Sequence, residues 1–116
     1  MGLRPEVLRY KRDFDRLYKK GRSTGNKHIV VFHIANGLDY TRRAFLASKK
    51  VGGAVARNRA RRLMKEGFRK LEKEVKAGRD ILFIARADTV SAGSMEVEAS
   101  MRAALNKCGL LKENVR

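Results

Sequence analysis

A chain of 116 residues with 43% apolar side chains can build one modest core and is too apolar for a disordered polybasic tail. Its 28 Lys and Arg against 12 Asp and Glu leave a net charge of +16, which a small fold sustains best beside a screening polyanion. No apolar run approaches the ~18 residues of a membrane span, "MGLRPEVLRYKRDF" holds no apolar signal core, and the single Cys108 excludes an internal disulfide or a cysteine-built zinc site. The expectation is a nucleic-acid partner, no membrane, and a reducing cytoplasm.

Residues 11–20, "KRDFDRLYKK", set Phe14, Leu17 and Tyr18 at helical spacing and predict a short helix. Asp13 and Asp15 suit its start, Lys19 and Lys20 its end, and Gly21 its stop. "GRSTGN" (21–26) is expected to be a loop. "HIVVFHIA" (28–35) is β-branched and apolar on both faces, so it predicts a strand covered on both sides, with His28 and His33 pointing opposite ways. "NGLDY" (36–40) predicts a turn and a hairpin to the returning strand "RRAFLAS" (42–48).

A helix is predicted from about 54 to 76, a strand at 80–86 ("DILFIAR"), and a loop at 88–93. A last helix runs from an N-cap at Ser94 to about 108, with Gly109 ending it. The order α-β-β-α-β-α predicts an α/β (α+β) two-layer sandwich in a single domain, 1–116, with a helix crossing between the last two strands. Residues 1–9 are left open between ordered and mobile.

The most informative stretch is "VGGAVARNRARRLMKEGFRKL" (51–71). At ~100° per residue, Ala56, Ala60, Leu63, Met64, Gly67 and Leu71 share one arc. Asn58, Arg62, Lys65 and Arg69 lie opposite, and Arg57, Arg59, Arg61 and Lys70 flank the apolar arc. A solvated face normally mixes signs, yet residues 54–65 contain no acid. Arginine offers planar, multi-donor recognition of phosphate, and Asn58 suits a base edge or sugar hydroxyl. Glu66 is positioned to relieve repulsion at Arg62 and Lys70. Gly52-Gly53 reads either as a plain connecting loop or as a close backbone approach at an anion-attracting helix start.

Catalytic motifs are missing: there is no GxxxxGK[ST], GxGxxG or HExxH. Asp39, Asp80 and Asp88 read as turn residues. Phe14, Tyr18 and Phe32 read either as ordinary core or as platforms for unpaired bases.

"SKKVGGAVARNRARRLMKEGFRKL" (48–71) closely resembles the signature of the bacterial ribonuclease P protein family. The match runs through Ser48-Lys49-Lys50, Gly52, Ala54-Val55, Arg57-Asn58-Arg59, Arg61-Arg62 and Glu66-Gly67-Phe68. "RDFDRLYKKGR" (12–22) is similar to that family's Asp-Phe helix, and "DILFIAR" to its late strand. Four features depart from the pattern: Tyr18 where Phe is common, Ala44 and Gly53 where Gly and Asn are frequent, and Val7-Leu8 in place of Arg-Leu.

The resemblance implies a fold like domain 2 of ribosomal protein S5, with a left-handed βαβ crossover. It implies the protein subunit of a ribonucleoprotein endoribonuclease that removes the 5′ leader of precursor tRNA. A catalytic RNA subunit would perform the cleavage, with Mg²⁺ held mainly by RNA and no catalytic or metal-binding protein residue. Lys49, Lys50, Arg57, Asn58, Arg59, Arg61, Arg62, Lys65 and Arg69 would then face the ribonuclease P RNA. Phe14, Tyr18 and Phe32 would line a cleft for the single-stranded leader. Composition alone also fits a non-enzymatic RNA-binding protein, such as a ribosomal protein of similar fold; the Arg-Asn-Arg signature favours the ribonuclease P reading. A stand-alone nuclease is disfavoured by the missing metal-ligand cluster.

Overall fold

The computed structural model describes residues 5–112. Its elements are α1 (Lys11–Lys20), β1 (Arg22–Gly25), β2 (Ile29–Ala35), β3 (Arg42–Ala47), α2 (Ala54–Leu71), β4 (Arg79–Ala85) and α3 (Ser94–Lys107). The strands form one mixed sheet in the order β1-β2-β4-β3, with β4 antiparallel to β2 and parallel to β3.

Strand alternation divides the core between the two sheet faces. Ile29, Val31, Ile81, Phe83 and Ala85 meet α2 and α3 through Leu63, Met64, Phe68, Leu71, Val97, Met101 and Leu105. Phe45 stacks on Phe83 with centroids 5.4 Å apart, and Phe68 closes edge-on against both rings. Each such buried side chain contributes about 1.5–3 kcal/mol. The opposite face is smaller: Leu8, Leu17, Ala44 and Leu82 are buried there, with Phe14, Phe32, Ile34 and Ile84 around them. The sheet with α2 and α3 makes the two-layer sandwich, and α1 lies across the other face, so β2 is covered on both sides as its composition predicts.

Several local expectations need correction. "GRSTGN" contains β1, a strand that no apolar alternation announces, because it forms by backbone pairing to the free edge of β2 (Ser23 opposite Phe32). The Asn-Gly turn does not make a β2–β3 hairpin, since β4 lies between those strands. Ile81, Leu82 and Phe83 are fully buried, whereas β3 buries only Ala44, so β4 takes the central slot and β3 the edge. The long helix stops at Leu71 and tightens into a 3-10 turn, Glu72–Glu74. A second 3-10 turn, Ala87–Thr89, interrupts the loop expected after β4.

The N-cap of α3 is Gly93, not Ser94, and the Gly93 N–H donates to Glu96 Oε1 at 2.8 Å. His28 precedes β2 and its ring bonds Ser100 Oγ of α3 at 2.7 Å, so strand alternation does not place it opposite His33. Of the first nine residues, 1–4 lie outside the described part; Val7 and Leu8 run along the free edge of β3, where Leu8 N–H donates to Arg43 O at 2.9 Å.

Gly21 stops α1 for a reason other than left-handed geometry. Its φ is −75°, but an added Cβ would lie 2.4 Å from Leu17 O and 2.9 Å from His33 O. Gly52 is the conformational glycine, with φ +143° and a Cβ position 2.9 Å from that of Ala56. Gly53 is extended, and a Cβ there would meet nothing within 4 Å. The glycine pair is therefore required at its first member.

A candidate nucleic-acid interface

The turn at Gly52 launches α2 with its apolar arc against the sheet, and this rotation decides which cations reach solvent. Asn58, Arg59, Arg62, Lys65 and Arg69 are exposed, and Arg57 and Arg61 are half-buried at the flanks. Lys49 and Lys50 stand exposed in the turn before the helix. Gly53 caps α2 without a side chain, and no acid occupies the first turn, so the helix start has no built-in anion.

Among the described residues, no carboxylate forms an ion pair with Arg57, Arg59, Arg61, Arg62 or Lys65. Arg59 Nε donates to Val90 O at 3.3 Å, and Arg61 donates to Asn58 Oδ1, orienting the amide. Arg57 Nε is buried without a partner. Glu66 does not meet Arg62 or Lys70: it lies 3.9 Å from Arg69, and Lys70 instead pairs with Glu98 of α3 at 3.7 Å. The acids thus gather around the C-terminal half of α2, leaving its first three turns uncompensated.

The three aromatic candidates share the α1 face of the sheet. Tyr18, 48% exposed, meets Phe32 edge-on at 5.1 Å, and Phe32 and the half-buried Phe14 pack on the small core of that face. Phe14 also lines a groove of about 590 Å³ along β3, whose other wall carries Arg61, Lys65 and Arg69. The fold therefore brings Phe14 beside the cationic flank of α2, while Tyr18 and Phe32 form a separate pair further along the same face. Such an arrangement suits a strand whose phosphates track cations and whose bases reach rings.

Two cations were missed by sequence reasoning. Lys27 and Arg86 line a second cleft, about 610 Å³, together with Lys50. Arg86, which ends "DILFIAR", gave a faint signal, since an arginine closing an apolar strand has no core role; Lys27 gave none.

Asp80 departs most from expectation. It is no turn residue but a fully buried carboxylate on β4. Arg42 donates to it through Nε and Nη2 at 2.8 and 2.7 Å, Asn36 Nδ2 at 3.0 Å and Arg16 Nη2 at 3.1 Å. Burial by itself raises its pKa, but the bonds from Arg42 and Asn36 and the charges of Arg42 and Arg16 outweigh this and hold it below the usual aspartate value. Asp13, expected only to favour the start of α1, lies 3.5 Å from Arg42 in the same cluster. Burial, then Arg79 and Arg22, lowers the pKa of His33 and favours its neutral form.

These carboxylates do not fit a divalent metal, because arginines already engage them. Among the described residues no group of three or more His, Cys, Asp or Glu is placed to hold one.

The geometry defines a small basic α+β domain with one exposed cationic helix face. The family model for ribonuclease P matches residues 3–109. The ribonuclease P protein component of Alkaliphilus metalliredigens (strain QYMF) is 39% identical over 104 residues, 90% of this chain and 94% of that relative. That of Clostridioides difficile (strain 630) is 40% identical over 100 residues, 85% and 88% of the two chains. The solved RNase P protein of Staphylococcus aureus superposes with a TM-score of 0.84 at 30% identity, over 94% of this chain and all of that one. The protein from Thermotoga maritima gives 0.79 at 31% identity, over 88% and 96%. The chain belongs to the ribonuclease P protein family, and so to a ribonucleoprotein of tRNA 5′ processing.

Proposed function

We propose that this chain is the RNA-binding subunit of a ribonuclease P holoenzyme and acts in two places at once. The stripe Asn58, Arg62, Lys65 and Arg69, with Lys49, Lys50, Arg57, Arg59 and Arg61 beside it, docks on the catalytic RNA. Phe14, Tyr18 and Phe32 hold the single-stranded 5′ leader of precursor tRNA. The RNA subunit hydrolyses the phosphodiester, releasing the leader and leaving a mature 5′ end. Mg²⁺ would be held mainly by RNA and would supply charge stabilisation and activation of water there. The protein's part is positioning, and its place is the cytoplasm, where tRNA precursors are processed.

One observation carries this reading: Arg61 and Lys65, cations of α2 without a carboxylate partner among the described residues, line the same groove along β3 as the Phe14 ring. Phosphate neutralisation and base stacking are thereby joined in one surface. The test mixes pure protein, precursor tRNA, Mg²⁺ and, separately, a bacterial ribonuclease P RNA. Added protein should raise leader-dependent binding and turnover by the RNA. Cleavage by the protein alone would refute RNA catalysis, and no gain on adding the protein would refute the subunit reading.

A further inference from the structure

We infer that Asp80 and Arg16 are positioning residues for the leader: their contact fixes the pitch of α1, and with it where Phe14 and Tyr18 stand over the sheet. This rests on reading the α1 face as the leader site. The helix has only ten residues, and two of them, Asp13 and Leu17, are buried. A helix that short is marginal by itself. Leu17 is the one fully buried apolar side chain of α1, with Phe14 half-buried beside it, and such apolar contacts are non-directional, so they hold the helix on the sheet without fixing its pitch.

The directional constraints come from charge. Arg16 Nη2 reaches Asp80 Oδ2 at 3.1 Å, and Arg42 Nη2 of β3 lies 3.5 Å from Asp13 Oδ1 while also holding Asp80 at 2.7 Å. Two positions of α1, three residues apart, are thus tied to two adjacent strands. Phe14 follows one tie directly, and Tyr18 comes two residues after the other. Stability alone is a weak reason for such a cluster, since apolar residues of equal volume usually serve as well or better. Orientation is what hydrogen-bonded charges add. Asp80 has no accessible side-chain surface, so it acts on RNA only through the groups it holds, of which Arg16 is the one on α1.

The experiment reconstitutes the full-length protein with ribonuclease P RNA and compares affinity for precursor tRNA with and without a leader, across a salt series. Arg16→Gln should lower the leader-specific increment roughly five- to tenfold, the loss of one well-placed stacked base. Leaderless affinity and salt slope should hold, and Arg16→Lys should restore most of the increment. Asp80→Asn should give the same selective loss with a lower Tm; if it fails to fold, the Arg16 pair decides. An unchanged increment in Arg16→Gln overturns the inference. So does equal loss for both substrates, which marks a purely structural role, or a slope reduced by about one, which marks a direct phosphate contact. Tyr18→Ala separates the two readings. If it too spares the increment, the leader reading falls and this one with it; if it removes an increment that Arg16→Gln keeps, only the positioning role falls.

Discussion

Replacing Arg62 and Lys65 together by alanine tests the cationic face of α2 most directly. Both side chains are exposed, and among the described residues neither has a carboxylate partner. The change removes phosphate contacts and breaks no intramolecular pair. Each phosphate neutralised contributes ~0.7–0.9 to the slope of log affinity against log salt, so the double variant should lose about 1.4–1.8. Across a fourfold rise in salt, from 50 to 200 mM, its affinity for ribonuclease P RNA should then fall about tenfold less than that of the parent. The two curves converge at high salt.

Stability at low salt should be at least as high as in the parent, because two mutually repelling charges are gone from a chain of net +16. Arg102→Ala is the control, since Arg102 sits on α3 and is spoken for by Glu74 at 2.8 and 3.0 Å. Filter binding or fluorescence anisotropy over the salt series reads the slopes. An unchanged slope in the double variant, or equal flattening by Arg102→Ala, would refute the assignment of this face to RNA.

Three further outcomes follow from particular contacts. Tyr18→Ala should weaken leader-bearing substrate by ~1–3 kcal/mol while sparing leaderless tRNA and Tm; equal loss for both would point to a folding defect. Arg42→Ala leaves the Asp80 carboxylate buried without its two main bonds and should cost about 3–5 kcal/mol in urea unfolding at pH 7. Its pH dependence should also change sign. In the parent, the depressed Asp80 pKa contributes stability that is full above the ordinary value of 3.8 and lost as pH falls through the lower folded value. Without Arg42, burial dominates and raises that pKa, so the variant should gain on the parent as pH falls from 7 toward 4; parallel curves would count against the cluster. Gly21→Ala should destabilise by ~1–3 kcal/mol despite an ordinary φ, because its Cβ meets backbone oxygens that cannot move aside, and an unchanged Tm would refute this.

Local chemistry made much of this legible in the sequence. The periodicity of 54–71 set the buried and cationic sides of α2, since a helix of fixed pitch allows one rotation for that pattern. Phe14, Leu17 and Tyr18 announced α1, and the Arg-Asn-Arg spacing pointed to the family. Legibility failed where an outcome depends on distant partners. Nothing in "RSTG" marks a strand, because its pairing is supplied by the edge of β2. Asp80 read as a turn residue because Arg16, Asn36 and Arg42 lie 64, 44 and 38 positions away.

The hairpin between β2 and β3 failed for the same reason. An Asn-Gly turn states a local preference, but the most deeply buried strand, β4, lies between β2 and β3, and that strand comes last in the chain. The sequence by itself determined the three helices, three of the four strands, the charge and the cationic face of one helix, settled by neighbours within a few residues. Only the tertiary structure decided which cations stay unpaired, which rings share a face, and that a buried carboxylate holds the aromatic helix in place. Those depend on desolvation and on contacts between segments brought together by folding.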